Sequence, residues 1–405
     1  MTTTTERRWD LDALRGMLLV LMTLTHLPTR FSDPAGQPFG FVSAAEGFVM
    51  VSGFMAGMVY SAKAARDGEA QMQEAFFRRA LKIYACQAAL LLFAFTVIAT
   101  IGIAARQEAV TNLLALFIER PLPAVFSSLL LIYNPALLDI LPIYILFMLV
   151  SPLILLHGLH HGWGGILAGS VLLWLAAQFD VGRALFGQFD LWLKLPVSYR
   201  EMGAFEVFGW QFLWVLGLWM GATMSRPDAP PTVFPSWLVR VAIVYAGVCF
   251  VWRHAVGQVP FPGNPGLNLM FDKWHLGPLR LIDFMALLLL LMHYGPWLKR
   301  HLPRLAVLET LGRASLPVFC AHLVLALTAL ALFGAAKPSR PWTLDVLILT
   351  VGFAVLYGVA LVSQAIDDRA AALRARLKAR RAIARELKAS GAPPARASTA
   401  HSPPR

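Results

Sequence analysis

The sequence predicts an all-α, polytopic integral membrane helical bundle of about ten transmembrane helices. Of its 405 residues 58% are hydrophobic and only 14% charged, a balance foreign to a string of soluble domains. Mean hydropathy is +0.62. The apolar residues also gather into ten runs, most of them near the roughly 20 residues that carry a helix across a bilayer.

In chain order the runs cover 12–29, 41–61, 79–103, 137–156, 163–178, 205–224, 236–253, 278–297, 306–333 and 341–362. The fifth is short. The stretch 112–133 is apolar but interrupted by Glu119, Arg120, Pro121 and Pro123, so it reads as interfacial or re-entrant, because helix breakers at membrane depth need protein around them. The opening MTTTTERRWDLD lacks the small-residue cleavage site of a secretory signal, and the first run is expected to remain as a helix.

Positive charge sets the expected orientation. Lys63, Arg66, Arg78, Arg79 and Lys82 fall between the second and third runs or in the first turn of the third, and Lys299, Arg300 and Arg304 between the eighth and ninth. With the basic tail they place both termini in the cytoplasm. The formal charge is +12, and from residue 363 onward ten Lys or Arg face three Asp or Glu. That surplus suits anionic lipid better than nucleic acid, since no soluble domain accompanies it. The chain therefore divides into a cytoplasmic N-terminus (1–11), a membrane domain (12–362), a basic helix lying at the cytoplasmic surface (363–390) and a Pro-rich disordered tail (391–405).

Cys86, Cys249 and Cys320 all sit in apolar runs, which argues against a disulfide framework and a Cys metal site. HGLHHG, with His157, His160 and His161, has metal-like spacing but no acidic or Cys partner nearby, so no metal is expected.

The residues that demand explanation begin in the first run, DALRGMLLVLMTLTH. From Arg15 to His26 the helix turns through roughly three full revolutions, leaving the two side chains on one face and about 16 Å apart along the axis. An ionisable residue within a span is costly and points to function. Asp12 stands one turn from Arg15 and can pair with it. Glu46 opens the second run, and a short hairpin brings it to the depth of His26, where a carboxylate can fix the imidazole tautomer; the alternative is a pair that only locks the hairpin. Ser52 and Gly53, in VSGFMAG, lack a nucleophile elbow and read as packing residues.

In the ninth run Glu309 and Arg313 form an i, i+4 pair, and His322 lies mid-span as a buried histidine bonded to a neighbouring helix. FDKWHLGPLRLIDF opens the eighth run. There Arg280 and Asp283 are expected to pair, leaving Asp272 and Lys273 free for a polar substrate. Aromatic residues in 179–204 and 254–277, among them Trp192, Tyr199 and Trp274, suit stacking on sugars or an interfacial belt.

Six segments in order, DLDALRGMLLVLMTLTH, AAEGFVMVSGFMAG, LPIYILFMLVSPLIL, FEVFGWQFLWVLG, DKWHLGPLRLIDF and LGRASLPVFCAH, resemble the OpgC family of membrane acyltransferases, itself similar to the wider acyltransferase-3 group. The resemblance spans roughly 10–361. It implies an O-acyltransferase of the succinyltransferase type, taking an acyl group from cytoplasmic acyl-CoA as donor substrate and placing it on an osmoregulated periplasmic glucan or other envelope glycan. No bound cofactor is implied. By carry-over His26 is the general base, Glu46 orients it, Arg15 meets the coenzyme A end, and Asp272 and Lys273 contact the acceptor or acyl group. Arg280 is a further candidate for substrate contact, and Asp12, Arg313 and His322 are candidates for supporting the site. A covalent acyl-histidine intermediate is the variant route. The rival readings are a transporter or flippase using His26, Glu46, Arg313 and His322 as a path, and a structural component. A cavity reaching both Arg15 and His26 is what separates acyl transfer from these.

Overall fold

The computed structural model describes residues 8–226, 229–230 and 232–389; the tail expected to be disordered lies outside them. Among the described residues every regular element is helical. The long elements are α1 (Trp9–His26), α2 (Ala44–Asp67), α3 (Glu69–Ala104), α4 (Ile140–His161), α5 (Gly164–Gln178), α6 (Val181–Leu193), α7 (Val207–Met224), α8 (Ser236–Val256), α9 (Pro278–His301), α10 (Ala306–Arg313), α11 (Ser315–Phe333) and α12 (Trp342–Ala389). Among the described residues eight helices are long and apolar enough to cross a membrane, or nine when the α5–α6 pair, bent by 76°, counts as one span. α1 adds another helix of 18 residues, set apart by its charges Asp10, Asp12 and Arg15.

Four boundaries differ from the sequence reading, each for a local reason. The basic residues expected in a loop after the second run lie on helices, because α2 and α3 are joined by Gly68 alone. Its φ of 92° is a conformation other residues rarely adopt. The run 306–333 is two helices broken at Ala314, since Pro317 cannot donate to the Arg313 carbonyl. The stretch 179–204, expected as a loop, contains α6 and a short turn at Tyr199–Met202. The basic segment after residue 362 continues α12 without a break, so it is not a separate surface helix. The ambiguous stretch 112–133 resolves into short helices, Glu108–Leu113, Ala115–Glu119 and Pro121–Leu129, too short to span.

Small residues set the helix spacing. On α2, Gly53 and Gly57 lie against the backbone of Trp214 and Leu218; on α7, Gly217 and Gly221 lie against the backbone of Met50 and Phe54. Added side chains on either helix would strike carbonyl oxygens, so glycines four apart on both helices permit this approach. Gly16 and Gly312 do the same for α1 and α10, through Leu308 and Asp12 backbone atoms. Because hydrocarbon gives helices no hydrophobic reason to associate, such contact is where membrane packing energy comes from. The buried aromatics keep their polar handles satisfied: Trp214 Nε1 donates to Ser151 Oγ at 2.8 Å and Tyr144 Oη to the Phe48 carbonyl at 3.0 Å.

Candidate active site

Arg15 and His26 both face α11, as their shared helix face requires. Arg15 Nη2 donates to Ser315 Oγ at the start of α11. His26 Nδ1 lies 3.0 Å from Nε2 of His322, two turns further along the same helix. His322 is fully buried, whereas His26 is only partly so. α1 and α11 thus run side by side with a guanidinium contact at one end and a pair of imidazoles at the other.

The Arg15 end opens into a cavity of about 230 Å³. Its polar wall comes from Arg15, Ser52, Tyr60, Arg79, Tyr144 and Ser315, so Ser52, read from sequence as packing, faces this space while its neighbour Gly53 packs. Arg79 was legible only as a topology signal. The structure places it on the wall of the same cavity as Arg15. Two guanidiniums on one cavity wall can meet an anion. Asp12 and Glu309 lie at the same end, each within ion-pair distance of Arg313, at 3.8 Å and 3.5 Å.

Phe48 and Phe319 also line the cavity. Their rings stack at 5.8 Å, and Phe319 meets the edge of His322 at 4.8 Å between centroids, so its ring lies between the cavity and the histidine pair. His26 is not part of the cavity wall. The cavity at Arg15 therefore does not reach His26, and the feature expected to separate acyl transfer from the transporter and structural readings is not met by it.

Glu46 does not take the place expected for it beside His26. Its Oε2 accepts from Ser43 N at 3.1 Å and Ser43 Oγ at 2.5 Å, and its Oε1 accepts from Arg280 Nε at 2.5 Å. The bond from Ser43 N is half of a capping box at the start of α2, in which a Ser at N-cap and a Glu at N3 satisfy each other's exposed backbone amides. That signal, S-A-A-E over residues 43–46, was present in the sequence. Arg280 is accordingly drawn to Glu46 and not to Asp283, whose Oδ2 accepts from Phe41 N at 2.8 Å. The expected Arg280–Asp283 pair is replaced because α9 presents the two residues to different neighbours.

Asp272 is likewise engaged. It accepts from His275 N at 2.8 Å and His275 Nδ1 at 2.7 Å, while His275 Nε2 lies 3.1 Å from Asp180 after α5. Burial pushes the Asp272 carboxyl up, but the His275 hydrogen bonds outweigh it and hold the group below its ordinary range. The hydrogen bond it gives to Asp272 in turn raises His275. The segment is strapped further by Trp210 Nε1 and Trp174 Nε1, which donate to the Trp274 and Leu276 carbonyls.

Lys273 is the residue of this segment without a carboxylate within ion-pair distance. Its ammonium lies 4.9 Å from the Trp274 ring centre and 5.9 Å from that of Phe205. Burial lowers its pKa, and Glu46, Arg280 and Asp139 are close enough for their charges to act on it. Its own charge is felt at His26. A cation held by aromatic faces at the imidazole end can meet an anionic or hydroxyl-bearing substrate.

Among the described residues no group of three or more His, Cys, Asp or Glu is placed to hold a metal ion. His160 instead meets Glu69 at 2.7 Å across the α4–α3 boundary.

The fold and these residues define a polytopic helical membrane protein with two polar stations along one helix, a guanidinium-lined cavity and a histidine pair. Residues 7–368 match the family described as OpgC protein, so the chain belongs to the OpgC family. No curated protein matches it, and no solved structure does.

Proposed function

We propose that this chain is an inner-membrane O-acyltransferase, moving an acyl group, succinyl by family resemblance, from cytoplasmic acyl-CoA to a hydroxyl of a periplasmic glucan or related envelope glycan. The observation that carries the reading is the alignment of Arg15 and His26 onto one neighbouring helix, with the cavity at the first and the imidazole pair at the second. OpgC membership supports it. The cavity does not reach His26, so in this reading the acyl group has to pass Phe319, whose ring lies between the cavity and the histidine pair.

In this scheme Arg15 and Arg79 hold the phosphates of the donor at the cytoplasmic end. The thioester carbonyl reaches past Phe319 toward His26. Nε2 of His26 removes the proton from the sugar hydroxyl as the oxygen attacks the carbonyl carbon; the tetrahedral intermediate collapses, the C–S bond breaks, and the imidazolium returns its proton to the departing thiolate. Lys273 supplies positive charge on the acceptor side, and the Glu46–Arg280 pair holds α9 against α2. Asp272 acts by fixing the loop that presents Lys273.

Mass spectrometry of envelope glycans tests this. Cells with the intact gene are expected to carry an acyl group that is absent both from a deletion strain and from a strain with His26→Ala at equal protein level. Identical acyl loads in all three would falsify the reading. The mass increment also names the acyl group.

A further inference from the structure

The carboxylate expected to orient His26 is committed elsewhere, yet the ring is held. We propose that His322 is the positioning residue for His26: its Nε2 accepts a hydrogen bond from His26 Nδ1–H, which leaves the lone pair of His26 on Nε2, the nitrogen available to substrate. This rests on the acyl-transfer reading and adds to it a residue and a protonation pattern.

The two rings lie within 16° of parallel, with centres 5.3 Å apart. That separation is close to the 3.0 Å nitrogen–nitrogen distance plus the two ring radii. The nitrogens therefore lie between the ring centres, nearly on the line joining them, and the rings meet edge to edge in a common plane. This is the geometry of an in-plane N–H···N bond, not of face-to-face stacking.

Two neutral imidazoles so placed share one proton between them, one donating and the other accepting. The acyl-transfer reading decides which: a base at His26 Nε2 needs its lone pair there, which puts the proton of His26 on Nδ1 and, since the shared bond holds one proton, that of His322 on its buried Nδ1. Its Nε2 then accepts, and His26 Nδ1 donates. A neutral acceptor fixes the tautomer as a carboxylate does, without placing a formal charge in the span.

The test uses the full chain reconstituted in lipid vesicles with acyl-CoA and acceptor glycan, and compares His322→Gln with His322→Met. Gln retains an acceptor oxygen near the position of Nε2; Met fills similar space without one. Expected is a kcat within about tenfold of wild type for Gln and lower by about 10²–10⁴-fold for Met, with KM for acyl-CoA unchanged in both. Equal activity of the two variants at equal thermal stability overturns the proposal, whether both are active or both inactive. Should the Met variant not fold, nitrogen-15 NMR of histidine-labelled wild type decides, with His26 identified by the signals that His26→Ala removes. Protonated Nδ1 with bare Nε2 on His26 upholds the proposal, and the reverse pattern overturns it. An unchanged acyl load in the His26→Ala strain sinks acyl transfer itself, while the NMR result still reports the hydrogen bond.

Discussion

Glu46 and Arg280 meet at 2.5 Å inside the bundle, with 0% and 1% of their side chains exposed. Such a pair holds α2 to α9 and is dangerous to break, because the remaining charge stays buried and uncompensated. Glu46→Gln or Arg280→Met alone is expected to cost about 3–5 kcal/mol. Combining the two restores part of the loss, since no lone charge is left. Denaturant unfolding in detergent micelles measures all three. Single variants as stable as the parent would show that the pair is solvated.

A second prediction concerns helix spacing. Gly217→Val forces a side chain into the Met50 carbonyl and is expected to destabilise by at least about 1–3 kcal/mol. Gly247→Val on α8 meets nothing within 4 Å and serves as the control. Similar yields and melting temperatures for both would contradict the close α2–α7 approach.

The Asp272–His275–Asp180 contacts carry a pH dependence whose sign follows from the shifts. His275 is raised, so its contribution is full below the unfolded pKa of about 6.5 and fades as pH rises through its higher folded value. Asp272 is lowered, so its contribution is present above about 3.9 and fades as pH falls through its lower folded value. The melting-temperature difference between wild type and His275→Gln is therefore expected to be largest between about pH 4 and 6.5 and to shrink on the alkaline side. A difference that grows with pH would reverse the assignment.

Phe319→Ala removes the ring that lies between the Arg15 cavity and the histidine pair. The substitution is expected to cost about 3–5 kcal/mol in packing and, if transfer proceeds as proposed, to raise acyl-CoA hydrolysis in the absence of glycan, because His26 becomes reachable from the donor side. Hydrolysis at the wild-type rate in a folded variant would mean that Phe319 is not the barrier.

The spans were legible because hydrocarbon demands long apolar helices, and composition records that demand directly. The shared face of Arg15 and His26 was legible for an equally simple reason, helical periodicity. What periodicity could not report was the partner across the gap. His322 was visible only as a mid-span histidine, and its pairing with His26 depends on α11 running beside α1. Depth alone places Glu46 beside His26, but its capping box with Ser43 is a local pattern that competes for the same carboxylate. Arg79 looked like a topology marker because a charge near a helix end reads the same whether it faces lipid headgroups or a cavity.

The last span has a mechanical consequence. Trp342–Leu377 is one helix of 36 residues, or about 54 Å at 1.5 Å per residue, against a hydrocarbon core of about 30 Å. About 24 Å of it protrudes as a rod, further than the roughly 10 Å over which a charged bilayer surface is felt in ordinary salt. Arg369 sits near enough to grip anionic lipid. Arg376 and Arg380 are carried beyond that grip on the same unbroken helix, so their charge is spent in water and not on lipid.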